Sequence, residues 1–151
     1  MRNVLLLIVL FPLCAFAQGG DGIVTKPSRF SVETTLDRLE SAVKQKGFTV
    51  FACINHAAGA AKIGKQLRPT ELLIFGNPKV GTALMSSRQS AGLDLPIRVV
   101  AWEDSTGQVW LAYNAPRYLE ERYRIPDRQA LIGKMTGALK NLTDGAVSAG
   151  E

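Results

Sequence analysis

Two stretches in which apolar residues recur at helical spacing lie near the two ends of this chain, and they constrain its fold most. The first covers residues 32–43, where an apolar side chain recurs every three or four positions. The second covers residues 131–142 and forms a broader apolar stripe. Both stripes need an apolar surface to cover. The sequence therefore predicts two main helices packed on a sheet.

Five short segments have the apolar content and the turn signals of strands: residues 23–26, 48–56, 72–75, 97–103 and 108–114. A polar turn from Asp104 to Gly107 joins the last two and predicts an antiparallel hairpin. The predicted order is strand, helix, four strands, helix, with short helical insertions. We expect an α+β fold with a largely antiparallel sheet and one domain over residues 22–142. The polar residues 143–151 are predicted to form a flexible tail.

The first 17 residues have the pattern of a signal peptide. Arg2 provides the positive start, and residues 4–11 form an apolar run that is too short to span a bilayer. Ala15-Phe16-Ala17 fits the small-x-small rule of signal peptidase, so cleavage is expected before Gln18. The sequence therefore predicts a periplasmic or secreted protein with no stable membrane anchor after cleavage.

The charges of the chain do not favour a nucleic-acid partner. There are 18 Lys and Arg residues against 13 Asp and Glu residues, but the like charges are scattered and form no long run. Such mild basicity is typical of solvated helix surfaces, although it also favours small anions. We predict no nucleic-acid binding.

Cys53 is the cysteine that remains after the predicted cleavage, and it lies within an apolar strand pattern. Because one thiol cannot form an intrachain disulfide, we expect Cys53 to be an inert core residue. The alternative is a reactive thiol close to His56, which is the only histidine of the chain.

The segment 55–79 carries the candidate binding residues. Asn77 and Pro78 predict a helix start, where backbone N–H groups and a partial positive charge attract anions. Lys79 adds a full charge and Thr82 lies within the same turn. If the loop at His56 converges on this helix start, the predicted ligand is a small polar or anionic molecule. The sequence GNPKVGT is not a phosphate-binding P-loop, because it lacks the Gly-Lys-Thr ending.

Three blocks of the sequence resemble a known family: KGFTVFACINHAAGA, LRPTELLIFGNPKVGTALM and LDLPIRVVAWEDSTGQVWLAYNAP. In their order and spacing they are similar to the family called domain of unknown function 302, over about Gly22 to Leu142. The resemblance implies a TATA-binding-protein-like arrangement and a homodimer, without implying DNA binding. It implies no catalytic residue. The matching motif positions are His56, Leu67, Pro69, Thr70, Phe75, Gly76, Asn77, Pro78 and Lys79.

The leading functional hypothesis is an exported domain that binds a small polar or anionic ligand through His56, Asn77, Pro78, Lys79 and Thr82. One alternative is a His56-dependent enzyme, or a redox-linked protein in which His56 holds a metal or haem. A second alternative is a structural module that binds a protein partner. The sequence assigns no catalytic residue and no particular cofactor.

Overall fold

The computed structural model describes residues 22–148, which form one five-stranded sheet with its helices. The strands and helices alternate in the predicted order, with extra short helices in the connections. The elements are β1 (Ile23–Ser28), α1 (Val32–Gln45), β2 (Thr49–Asn55), α2 (His56–Lys62), β3 (Thr70–Gly76), α3 (Pro78–Ser87), a 3₁₀ helix (Gln89–Leu93), β4 (Ile97–Glu103), β5 (Val109–Asn114), α4 (Pro116–Tyr123) and α5 (Gln129–Val147).

The sheet has the strand order β1-β5-β4-β3-β2, and each neighbouring pair is antiparallel. Helices α1 and α5 pack against each other and share one core with one face of the sheet. This arrangement confirms the predicted α+β class with an antiparallel sheet and two main helices. The core contains Val32, Leu36, Leu39, Val43, Leu73, Phe75, Val99, Ala101, Val109, Leu111, Tyr113, Leu139, Leu142, Ala146 and Val147.

Helix α1 follows the predicted pattern. The Ser31 side chain accepts a hydrogen bond from the N–H of Thr34 at 3.1 Å and so caps the helix. Its apolar stripe is buried against the sheet, and Leu39 and Val43 are completely inaccessible to solvent. The chain leaves the helix through Gly47, whose φ of 76° lies in the left-handed region that glycine tolerates.

The turn between β4 and β5 is organised by one carboxylate. Asp104 Oδ1 accepts hydrogen bonds from the backbone N–H and the hydroxyl of Thr106, and Asp104 Oδ2 accepts one from Trp110 Nε1 at 2.8 Å. These hydrogen bonds hold the pKa of Asp104 far below its usual range. The bond from the Thr106 hydroxyl lowers the pKa most, and the bond from Trp110 has the next largest effect.

We therefore expect Asp104 to stabilise the hairpin in a pH-dependent way. A carboxylate with a depressed folded-state pKa contributes stability that is present above its unfolded pKa of about 3.9 and is lost as the pH falls through the folded pKa. The Asp104→Asn variant should be less stable than the native chain at neutral pH. The difference in unfolding free energy, measured by urea titration at a series of pH values, should shrink only below pH ~4. A difference that stays constant down to pH ~2 would contradict this role.

Helix α5 extends beyond the predicted end of the domain. It continues to Val147, and Thr143, Ala146 and Val147 are buried. The prediction of a flexible tail is therefore wrong for residues 143–147, because their small side chains fit between α1 and the sheet edge. Asp127 is a residue type that commonly caps helices and would be predicted from the sequence to cap α5, which is wrong. The cap position is Arg128, and Asp127 instead accepts a hydrogen bond from Ser87.

Strand β2 has a β-bulge that changes which side chains face the core. The pairing register shifts between Val50 and Ala52. Val50 pairs with Phe75 before the shift and Cys53 pairs with Leu73 after it, so Val50 and Cys53 lie on the helix-covered face. Strict alternation would put residues 48, 50, 52 and 54 on one face of the strand, and the bulge at residue 51 interrupts this alternation.

The other face of the sheet is apolar, and its side chains are mostly only half-buried. In register, Ile54, Leu72, Val100 and Ala112 form a row across four strands. Trp102 lies opposite Trp110 in the next row. Because both main helices pack on the opposite face, we call this surface the open face. Within residues 22–148, no helix combines the length and the hydropathy that crossing a membrane requires.

Candidate ligand-binding site

The start of α3 is built as predicted, but its backbone donors are occupied. Asn77 Oδ1 accepts from the N–H of Lys79 at 2.9 Å, and the Asn77 carbonyl accepts from the N–H groups of Val80 and Gly81. Pro78 has no N–H group. The first-turn amides that would capture an anion are therefore already used, and the helix start offers them to no ligand.

A cavity of about 250 Å³ lies beside this helix start, between α3, the end of β3, the approach to β4 and one side chain of α5. Apolar groups dominate its wall, and the ring of Phe51 and the thioethers of Met85 and Met135 contribute to it. Asn77 and Thr82 supply its polar side chains. Its wall is formed by Phe51, Gly76, Asn77, Pro78, Val80, Gly81, Thr82, Met85, Gly92, Leu95, Pro96, Ile97 and Met135.

Two glycines bring the walls of this cavity close together. A Cβ atom on Gly76 would lie 3.3 Å from the Cβ of Pro96, and one on Gly92 would lie 3.2 Å from the Sδ of Met85. Both distances are tighter than normal packing allows without movement of a neighbour. The glycines therefore let the proline ring and the methionine approach the backbone and shape the cavity.

The structure separates the predicted site residues. Asn77, Pro78 and Thr82 line the cavity, whereas Lys79 is exposed and lies outside its wall. His56 is the first residue of α2 and is also exposed.

The predicted convergence of His56 with the start of α3 is wrong. Thr49 pairs with Gly76 at one end of the β2–β3 ladder, and Asn55 pairs with Glu71 at the other. His56 follows Asn55 and Asn77 follows Gly76, so the two residues lie at opposite ends of a ladder roughly 20 Å long.

Cys53 is exposed, so the prediction that it is an inert core residue is wrong. It points to the helix side of the sheet, but it lies near the end of the edge strand β2, where the helix layer does not cover it. Partial burial raises the pKa of the Cys53 thiol, and the neighbouring Glu71 carboxylate raises it further. The thiol form is therefore favoured at neutral pH, which opposes a role as a nucleophile.

We expect Cys53 to react slowly but completely with a thiol reagent in the native protein. In a chain whose Cys14 is replaced by Ser, one equivalent should be labelled without denaturant because the thiol is exposed. The rate should rise as the pH rises above the usual thiol range of about 8–9, since the thiolate is the reacting form. Glu71→Gln should increase the rate near neutral pH by removing a negative neighbour. Labelling only after denaturation would contradict the exposed position.

The described residues contain no cluster of three or more His, Cys, Asp or Glu side chains arranged to hold a metal ion. Near His56, the neighbouring polar groups have other partners: Asn55 Oδ1 accepts from the N–H of Ala58, and Asn55 Nδ2 donates to Glu71 at 2.7 Å. His56 is thus placed at a capped helix start on the surface.

Sequence reasoning missed most of the cavity wall. The residues Phe51, Met85, Gly92 and Met135 come from four separate parts of the chain. Gly81 lies in the helix turn that begins at Pro78, where the sequence predicts a site, but Gly92 has no local signal beyond ending a helical stretch. The short helix α2 was also missed, although Asn55 before an alanine-rich segment is a helix-start signal.

Together, the fold and this cavity define a small α+β domain with an apolar pocket at one end of its antiparallel sheet. The model of the family described as "Domain of unknown function DUF302" matches residues 24–142. The chain belongs to this family, which confirms the resemblance noted in its sequence.

The comparisons with individual proteins agree with this assignment. The crystal structure of an uncharacterized conserved DUF302 protein from Bacillus stearothermophilus superposes with a TM-score of 0.74 at 20% identity, covering 83% of this chain and 98% of the other. It shows the shared fold.

Longer relatives also match. A protein named fluoride-specific ion channel FluC 1 from Brucella suis is 49% identical over 104 residues, which are 69% of this chain and 41% of the relative. The proteins of Brucella abortus and Brucella melitensis, named FluC 1 and FluC 2, match at the same identity over 38% of their length. The matched part of this chain therefore spans about two fifths of the length of these relatives.

Proposed function

We propose that this chain is a small-ligand-binding domain and that its ligand occupies the cavity at the start of α3. The cavity itself carries the proposal: it is about 250 Å³ in volume, largely apolar, and has Asn77 and Thr82 as polar groups in its wall. Small-molecule sites commonly combine an apolar wall with a few polar groups that fix orientation, in volumes of about 300–1,000 Å³, so this cavity suits a ligand smaller than usual. A compact molecule with an apolar body and one polar group fits this description.

The contacts of the cavity favour an uncharged ligand over the anion expected from the sequence. The first amides of α3 are bonded to Asn77, and the ammonium of Lys79 lies outside the wall. Asn77 uses its oxygen as the helix cap and keeps its Nδ2 donors for a ligand acceptor.

Gly81 offers a direct test of the site. A Cβ atom there would lie 3.8 Å from the Cε of Met85, which is an ordinary contact. Gly81→Ala should therefore be tolerated, whereas Gly81→Leu should fill the cavity. With benzyl alcohol as the probe, we expect saturable chemical-shift changes of the Val80 and Thr82 amides in the native chain. These changes should persist in Gly81→Ala and disappear in Gly81→Leu.

Gly137 provides the matched control for this experiment. It lies on the exposed surface of α5, and nothing is within 4 Å of the position its Cβ would take. Gly137→Leu makes the same chemical change without entering the cavity, so it should bind benzyl alcohol like the native chain. Equal binding by Gly81→Leu and Gly137→Leu would place the ligand elsewhere and reject the proposed site.

We also propose that the protein is exported, to the periplasm or outside the cell, and begins at Gln18 after cleavage. The signal-peptide pattern supports this proposal, and it falls in residues 1–17, which lie outside the described part of the chain. Mass spectrometry of the protein recovered from its host should give the mass of the chain from Gln18 onward. An intact N-terminal Met1 in that material would reject the proposal.

A second candidate function is partner binding through the open face, with a homodimer as the simplest form. The supporting observation is the apolar row of Ile54, Leu72, Val100 and Ala112, of which Ile54 is 40% exposed. Analytical ultracentrifugation should show a dimer that Val100→Arg dissociates. Ile63→Arg is the control and should leave the dimer intact. Ile63 is the C-cap residue of α2, and its side chain is 75% exposed. A monomer at high concentration would reject this candidate.

The longer relatives give this second candidate further support. In the three Brucella proteins named as fluoride-specific ion channels, the matched domain is joined to a larger remainder of the chain. A domain that is covalently joined to other parts in its relatives is suited to work beside a partner. If this chain shares that association, the partner would be a membrane channel, and co-purification from detergent-solubilised membranes would be lost in Val100→Arg.

A further inference from the structure

A shallow polar depression adjoins the cavity at the start of α3. It is lined by Thr82, Met85, Ser86, Ser87 and Gln89, and two of these residues, Thr82 and Met85, also line the cavity. We propose that the cavity and the depression form one site for an uncharged amphipathic molecule, an inference that rests on the proposed function. Its apolar end occupies the cavity, and its hydroxyl-bearing head lies in the depression.

Met85 is the larger of the two side chains that line both spaces. It is half-buried, its Sδ lies 3.2 Å from the position of a Cβ on Gly92, and its Cε lies 3.8 Å from that of a Cβ on Gly81. Methionine is unbranched and changes rotamer at low cost, so we expect a rotamer change of Met85 to widen the connection between the cavity and the depression.

The hydrogen bonds in the depression leave acceptors for ligand hydroxyls. The Ser86 hydroxyl donates to the Thr82 carbonyl at 2.8 Å, and the Ser87 hydroxyl donates to Asp127. Because each hydroxyl proton is used in this way, each serine oxygen presents its remaining lone pair to a donor. The Gln89 side-chain amide adds both a donor and an acceptor, so this surface suits a head group with several hydroxyls.

The charges near the depression do not favour an ionic head group. The lining of the depression includes no Lys or Arg. The neighbouring carboxylate of Asp127 pairs with Arg128 at 2.9 Å, and Arg128 Nε also donates to the Ala83 carbonyl of α3. The hydrogen bond from Ser87 lowers the pKa of Asp127, and the guanidinium groups of Arg128 and Arg88 lower it further. The Asp127 carboxylate is therefore balanced by neighbouring cations. An anionic head such as a sulfate carries no hydrogen-bond donor, so the serine oxygens offer it no partner.

Two probes with the same tail and different heads test the proposal. Titration calorimetry of the native chain with n-hexyl glucoside and with n-hexyl sulfate, both as monomers, should give an affinity at least about tenfold higher for the glucoside. The glucoside should shift NMR signals of both Val80 in the cavity wall and Gln89 in the depression. Ser86→Ala combined with Gln89→Ala should reduce its affinity about tenfold, through two lost neutral hydrogen bonds, and leave benzyl alcohol binding unchanged.

The outcomes separate this inference from the proposed function. If benzyl alcohol binds and Gly81→Leu blocks it, but the glucoside binds no better than the sulfate, the inference is overturned and the cavity remains a binding site. If the glucoside binds well but the Ser86 and Gln89 variant binds it equally, the head does not use the depression and the inference again fails. If no probe binds the native chain, both proposals fall.

Discussion

Replacing Phe75 with Ala is expected to destabilise the domain by about 3–5 kcal/mol, the usual range for removing a buried phenylalanine ring. Phe75 is completely inaccessible and is the largest such side chain in the described part of the protein. Its ring meets Phe48 edge to face, with centroids 5.8 Å apart, between the sheet and the helix layer. Since small domains have only about 5–15 kcal/mol of stability, urea unfolding should show a large drop in midpoint.

Phe51 is the matched control for this prediction. It lies across the bulge in β2, is 55% exposed and belongs to the cavity wall. Phe51→Ala removes the same ring but should cost less than about 1 kcal/mol, because most of the ring already contacts water. It should weaken benzyl alcohol binding instead. Equal destabilisation by both substitutions would contradict the assignment of the core to the helix-covered face.

The overall fold could be predicted because its signals are local. The stripe of Val32, Leu36, Leu39 and Val43 has helical spacing, and all four residues are buried in the structure. The same holds for the hairpin, where a polar turn ending in Gly107 separates two apolar segments. Propensity, capping and periodicity agree at these positions, and this agreement allows the fold to be predicted from the sequence.

In strand β2, the local sequence pattern does not predict which face of the sheet each side chain occupies. Strict alternation from residue 48 onward would put His56 on the same face as residues 48 and 50, and the apolar run around Cys53 favours a buried thiol. The bulge at residue 51 adds one residue to the strand and moves every later side chain to the other face. Nothing in the segment TVFACIN marks the bulge, and exposure of Cys53 also depends on how far the helix layer reaches, which is a tertiary property.

The candidate site was only partly predictable for a related reason. Asn77 and Pro78 carry a helix-start signal and do lie at the cavity. The affinity of that helix start for anions was not predictable, because it depends on whether the Asn77 carbonyl and side chain already use the amides. The apolar character of the pocket comes from Phe51, Met85 and Met135, which meet only after folding.

One side chain of α1, that of Arg38, makes three hydrogen bonds to the C-terminal end of α5, and its removal should have the second-largest effect. Arg38 Nη2 donates to the carbonyls of Gly145 at 2.8 Å and Ser148 at 2.9 Å, and Arg38 Nε donates to that of Ala146 at 3.2 Å. The guanidinium also lies 4.5 Å from the centroid of the Phe30 ring. A cation at this place satisfies carbonyls that a helix end leaves without partners and complements the helix dipole.

Arg38→Ala is therefore expected to cost about 2–3 kcal/mol in the free energy of unfolding, because charged donors contribute more than neutral ones. Hydrogen exchange should also accelerate in the last turn of α5, where the N–H of Ser148 bonds to the Asp144 carbonyl.

Arg38→Lys separates charge from geometry. Lysine keeps the positive charge near the helix end but cannot reach three carbonyls with one planar fork, so it should recover less than half of the lost stability. Full recovery by lysine would mean that the dipole interaction alone holds the helix end. A loss below about 0.5 kcal/mol in Arg38→Ala, the range of ordinary surface substitutions, would mean that Ala146 and Val147 stay packed without the guanidinium. Apolar burial would then account for the order of residues 143–147.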